Sequence, residues 1–147
     1  MRPRLLVALA VFASAGCGSG SYKISTVSGR VTLDGKPLAK ASVTFVPMAT
    51  QGNDSPGPTA QGKTDADGRY TLAVDPGRPG AVVGKCRIYI TTIVPEAMGK
   101  TDPDRDAGGT PKFVRDRVPE KYNLRTELTF DVPPEGTDKA NFDLTSK

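Results

Sequence analysis

From Val27 to Leu33 the chain alternates. Val27, Gly29, Val31 and Leu33 fall on one side, with Ser28, Arg30 and Thr32 on the other. Period two is the signature of a half-buried strand. Asp34-Gly35 then breaks the run. Asp-Gly between alternating segments predicts a hairpin, because a type I′ turn needs positive φ at both central positions. The rhythm resumes with Ala41, Val43 and Phe45 against Ser42, Thr44 and Val46. A short strand is expected over Gln61–Asp65, a turn at Asp65-Ala66-Asp67-Gly68, and an inward face made by Tyr70, Leu72 and Val74.

Asp75-Pro76-Gly77 and Pro79-Gly80 punctuate the chain before its longest predicted strand, Lys85–Ile93. Two more strands close the sequence. Leu128, Phe130 and Val132 supply one apolar face, and Ala140, Phe142 and Leu144 the other. Between them, Val94–Arg125 reads as a long polar, Pro-rich connection with one helical turn near Pro119–Tyr122. Met48–Gly62 is a second polar loop. About seven short strands with frequent turn signals predict an all-β fold, a single β-sandwich.

The first residues follow another pattern. Arg2 and Arg4 precede an unbroken apolar run, Leu5–Ala13, then the small residues Ser14, Ala15 and Gly16 before Cys17. That is the order of a secretory signal peptide. The run is far shorter than the ~20 residues a membrane-spanning helix needs. Ser14-Ala15-Gly16-Cys17 resembles the lipobox of bacterial lipoproteins, although a branched aliphatic residue is usual where Ser14 stands. The resemblance implies a diacylglycerol on Cys17, cleavage before it, and attachment to a membrane through that lipid anchor. Gly18 in place of Asp after the cysteine points by the same analogy to the outer membrane or cell surface. Gly18-Ser19-Gly20-Ser21 has the composition of a flexible tether. The expected organisation is thus a signal peptide over 1–16, a lipid-anchored tether over 17–26 and a β-domain over 27–147.

Composition narrows the chemistry. The whole chain carries a net charge of +4; removing Arg2 and Arg4 with the signal leaves 18 basic against 16 acidic side chains. The two signs are interleaved, whereas a nucleic-acid reader clusters its cations, so no nucleic-acid partner is expected. Histidine is absent, which removes the usual general base of hydrolytic triads. With Cys17 acylated, Cys86 has no disulfide partner. It alternates with Ile88 and Ile90 and is expected to act as a small buried hydrophobe.

Several of these segments resemble a known family. Val27-Ser28-Gly29-Arg30-Val31-Thr32, Asp34-Gly35-Lys36-Pro37-Leu38 and Ala41-Ser42-Val43-Thr44-Phe45 are similar to the opening of carboxypeptidase regulatory-like domains, which are transthyretin-like β-sandwiches. Thr64-Asp65-Ala66-Asp67-Gly68-Arg69-Tyr70 and Gly84-Lys85-Cys86-Arg87-Ile88 are similar to later segments of that family, with Cys86 where an aromatic is commoner. The resemblance implies the fold and is nearly silent on activity. Hydroxyisourate hydrolases share the fold but rely on histidines and a distinctive C-terminal tetrapeptide. This chain has no histidine and ends Leu144-Thr145-Ser146-Lys147, so no enzymatic activity is expected.

Asp102-Pro103-Asp104-Arg105-Asp106 spaces three carboxylates as a calcium loop begins, but Ala107 and Phe113 stand where an EF-hand loop needs Gly and Glu. A solvated acidic loop is the default, and no metal or cofactor is expected. An internal Lys–Asn isopeptide bond would use Asn141 and an acid such as Glu120, but the first strand offers Arg30, with Lys23 ahead of it. Asn53-Asp54-Ser55 matches a glycosylation sequon and reads as a loop tripeptide.

The sequence therefore points to a non-catalytic, lipid-anchored envelope module. An envelope protein or a glycan is its expected ligand, met through the two long loops by residues such as Lys112, Arg115, Arg117, Lys121 and Tyr122. A purely structural spacer and a calcium-dependent adhesin are the alternatives.

Overall fold

The computed structural model describes residues 22–49, 56–75, 77–93 and 115–147. The expected signal peptide, Cys17, the Gly18–Ser21 stretch expected as tether, Asn53 and the Asp102–Asp106 cluster lie outside the described residues. Twelve short strands run in chain order: β1 (Ile24–Ser25), β2 (Ser28–Leu33), β3 (Lys36–Pro37), β4 (Ser42–Pro47), β5 (Ala60–Lys63), β6 (Arg69–Thr71), β7 (Ala73–Asp75), β8 (Arg78–Pro79), β9 (Ala81–Val82), β10 (Gly84–Thr91), β11 (Thr129–Val132) and β12 (Phe142–Leu144). A single 3-10 turn, Glu120–Tyr122, is the only helical element among the described residues, and none there could cross a membrane.

The chain is all-β and sandwich-like. One sheet has the order β11-β10-β4-β5-β7-β8; the other is built on β2, with β12, β3 and β6 as its partners; β1 and β9 form a small ribbon. Twelve paired segments replace the seven or so expected, for two reasons. Four are two-residue ladders too short to show a period. The run expected as one strand around Tyr70–Val74 divides at Leu72, β6 pairing with β2 and β7 with β5. Paired structure also begins at Ile24, inside the segment expected as tether, because Ile24 and Ser25 pair with Val82 and Ala81.

The alternation read from the sequence becomes the core. Cys86, Ile88 and Ile90 on β10 are buried, as are Val43 and Phe45 on the neighbouring β4, while Lys85 and Arg87 face solvent. Val27, Val31, Phe142 and Leu144 close the core from the other sheet. Burying each such large side chain contributes roughly 1.5–3 kcal/mol. Phe45, Phe130 and Phe142 form a triangle of edge-to-face rings with centroids 5.8, 6.1 and 6.2 Å apart, a geometry the ring quadrupoles favour. Because Phe142 comes from the second sheet, this triangle holds the two layers together.

Asp34 and Gly35 take φ of 51° and 76°, as the I′ turn requires. The turn also secures the end of the chain. The Asp34 backbone N–H donates to the Leu144 carbonyl, and the Asp34 carboxylate accepts the Ser146 N–H, both at 2.9 Å. That backbone hydrogen bond holds the Asp34 carboxyl below its ordinary range.

Candidate functional site

Between Ser28 and Arg30, β2 pairs antiparallel with β6: Ser28 opposite Thr71, Gly29 opposite Tyr70, Arg30 opposite Arg69. Directly opposed residues project to the same face of a sheet. The inward face carries Tyr70, which is buried. The outward face therefore carries Ser28 and Thr71, then Arg30 and Arg69. Like charges directly across a ladder repel one another.

A third segment closes over this ladder. Val27 forms a parallel bridge with Thr137, and the Ala140 N–H donates to the Ser28 carbonyl at 3.2 Å. The approach is so close that a Cβ on Gly29 would lie 2.0 Å from the Ala140 carbonyl oxygen. Only glycine admits this crossing. The buried Tyr70 hydroxyl donates to that same carbonyl at 2.6 Å, and burial pushes its phenol pKa up, so it stays protonated. The crossing places Asn141 and Asp138 beside β2. Asn141 Oδ1 accepts the Arg30 backbone N–H at 2.9 Å, which fixes the carboxamide and leaves its Nδ2 as a donor.

The resulting groove has a volume of about 610 Å³. Its walls bring together Arg30, Arg69 and Lys63 with Asp65, Asp138 and Asn141, over the hydroxyls of Ser28 and Thr71. The turn beside it is rigid: Asp65 Oδ1 accepts the N–H groups of Asp67 and Arg69, both at 2.9 Å. Arg30, which lines the groove, donates through Nε to the Asp67 carbonyl at 2.9 Å. Among the described residues the ion pairs are Arg78–Asp75 and Arg125–Glu120, so Arg30, Lys63 and Arg69 have no such partner there.

The residues singled out in the loops behave otherwise. Arg117 donates to the Ala39 carbonyl at 2.8 Å. Lys121 Nζ donates to Thr145 Oγ1 and to the Lys147 carbonyl, and the Tyr122 hydroxyl meets Thr145 Oγ1 at 3.2 Å. These three bind their own chain. Arg115 is exposed, and Lys112 lies outside the described residues. Asn141 receives Arg30 rather than a lysine, and Glu120 is an exposed partner of Arg125, so the described residues show no isopeptide triad.

Among the described residues no group of three or more His, Cys, Asp or Glu side chains could hold a metal ion. Cys86 is buried. That burial, with a smaller contribution from the Asp131 charge, pushes its thiol up to about 11, unlike a reactive thiolate. The groove was not legible as a site in the sequence. Arg30 and Arg69 are 39 positions apart, and only the ladder makes them neighbours. No family model matches the chain, and no curated protein or solved structure matches it either.

Proposed function

We propose that the chain is an exported, lipid-anchored envelope protein whose β-domain binds a ligand and performs no catalysis. The observation that carries the binding half is the opposed pair Arg30 and Arg69, without an ion-pair partner among the described residues, in a polar groove on a rigid ladder. Groups placed this way are a standing cost to the fold, and a ligand that neutralises them offsets it. The anchoring half rests on Arg2, Arg4, the Leu5–Ala13 run and Ser14–Cys17, with Cys17 as the acylated residue. Two or more acyl chains hold a protein firmly at a bilayer, where one alone binds reversibly.

We also assign the domain to the transthyretin-like, carboxypeptidase regulatory-like group. The support is the motif segments themselves, together with the I′ turn at Asp34-Gly35 and the tight turn at Asp65–Gly68 that they encode.

The intact mass of the protein extracted from its host's membranes tests the anchor. A chain starting at Cys17 and carrying diacylglycerol is the expected result, and Cys17→Ser should move the protein to the soluble fraction. An unlipidated wild-type chain found in the soluble fraction overturns the anchored reading.

A further inference from the structure

We propose that the Arg30–Arg69 groove takes an acidic glycan, with sugar carboxylates set against Arg30, Arg69 and Lys63. The inference rests on the reading of the domain as a binding module and names its ligand. Three arguments favour this chemistry over other anions.

The first is the mixture of charges. Three cations face two carboxylates, Asp65 and Asp138, within one groove. The phosphate oxygens of a nucleic-acid backbone only accept hydrogen bonds and offer those acids no donor. A sugar presents hydroxyl donors beside its carboxylate, and the acids accept them. Asp65 Oδ1 is taken up by backbone N–H groups, while its second oxygen has no partner among the described residues.

The second is the absence of an apolar pocket. A peptide binds by side-chain anchors in hydrophobic recesses. Among the described residues the only large apolar side chain lining this groove is Tyr70, which is 4% exposed. The same fact disfavours a neutral sugar, which would look for an exposed ring to stack on.

The third is preorganisation. Arg30 is held through Nε to the Asp67 carbonyl, and Arg69 follows directly from the Asp65 turn. Asn141, which lines the groove, accepts the Arg30 N–H through Oδ1, so its Nδ2 adds a neutral donor there. Held through Nε alone, the planar Arg30 guanidinium keeps its remaining N–H groups for bidentate capture of a carboxylate.

The test uses the full-length lipidated protein in nanodiscs and titration calorimetry with oligogalacturonate and with hyaluronan fragments. At least one of these polymers should bind. The binder should lose its affinity when its carboxylates are reduced to alcohols, and binding should weaken as salt rises. Arg69→Gln and Arg30→Gln should each weaken binding by about tenfold, with the melting temperature measured to show that each variant folds. Arg125→Gln, remote from the groove and paired with Glu120, should bind as wild type. Equal binding of the carboxyl-reduced polymer, or unchanged binding by both folded groove variants, overturns the proposal. Equal binding of poly-glutamate overturns the glycan assignment while leaving an anion-binding module in place. Failure of both acidic glycans and poly-glutamate, with folded protein, sinks the binding reading as well. The lipid anchor is judged separately by the intact mass.

Discussion

Thr92 gives two hydrogen bonds to the carboxylate of Asp116, one from its backbone N–H at 2.9 Å and one from its hydroxyl at 2.7 Å. The Thr91 hydroxyl, the Val118 N–H and the Asn123 amide complete the set. One carboxylate therefore joins the end of β10 to the segment that leads into the 3-10 turn. Hydrogen bonds to a charged acceptor are worth more than neutral ones.

This knot has a pH signature. Partial burial is the largest single influence on Asp116 and opposes its charge, but the hydrogen bonds from Thr91, Thr92 and Val118 together hold the carboxyl below its ordinary 3.8. The folded-state value thus lies below the unfolded one. The stabilisation is fully present above about pH 4 and is lost as the pH falls through the folded value. Asp116→Ala should cost about 2 kcal/mol at neutral pH. Melting temperatures of wild type and variant should converge in acid, and a gap that stays constant down to pH 2 would refute this role.

Gly29 and Gly35 should respond differently to alanine. At Gly29 the new Cβ meets the Ala140 carbonyl carbon at 2.4 Å and its oxygen closer still, so backbone must move. A loss of about 3 kcal/mol or more is expected. At Gly35 nothing lies within 4 Å, and only the positive φ is strained. There about 1–2 kcal/mol is expected. Urea denaturation of the two variants gives the comparison, and equal losses would contradict the close crossing of β2 by residue 140.

Tyr70→Phe removes the donor to the Ala140 carbonyl and leaves that acceptor in a buried site. The expected cost is about 1–2 kcal/mol. Because this bond also holds the wall that carries Asn141, the variant should bind the groove ligand more weakly than its stability loss alone explains. Calorimetry at a temperature where the variant is fully folded separates the two effects.

Cys86 is 1% exposed. If Cys17 is acylated, the native protein should therefore take up no maleimide, and denaturant should release one reactive thiol. Labelling of the native protein at a single site would point to an unacylated Cys17. Labelling at Cys86 itself, identified by peptide mapping, would contradict its burial.

The apolar faces were legible because each lies within one short segment. Alternation at Val43 and Phe45 or at Cys86, Ile88 and Ile90 needs no knowledge of the partner strand, since period two is set by the backbone itself. The turn at Asp34-Gly35 was legible for the same reason. The loops, by contrast, drew attention to Arg117, Lys121 and Tyr122 through their polarity, and polarity does not reveal whether a side chain is occupied by its own chain.

By itself, the sequence determined the strand-rich character, the inward residues and the tight turns. All of these depend on neighbours within a few positions. Tertiary structure alone decided that β12 runs parallel to β2, that the chain changes sheets at Leu72, and that Arg30 faces Arg69 under a wall carrying Asn141. The physical reason is that pairing between distant strands depends on how whole faces bury against one another. No local pattern encodes which strand will lie alongside which.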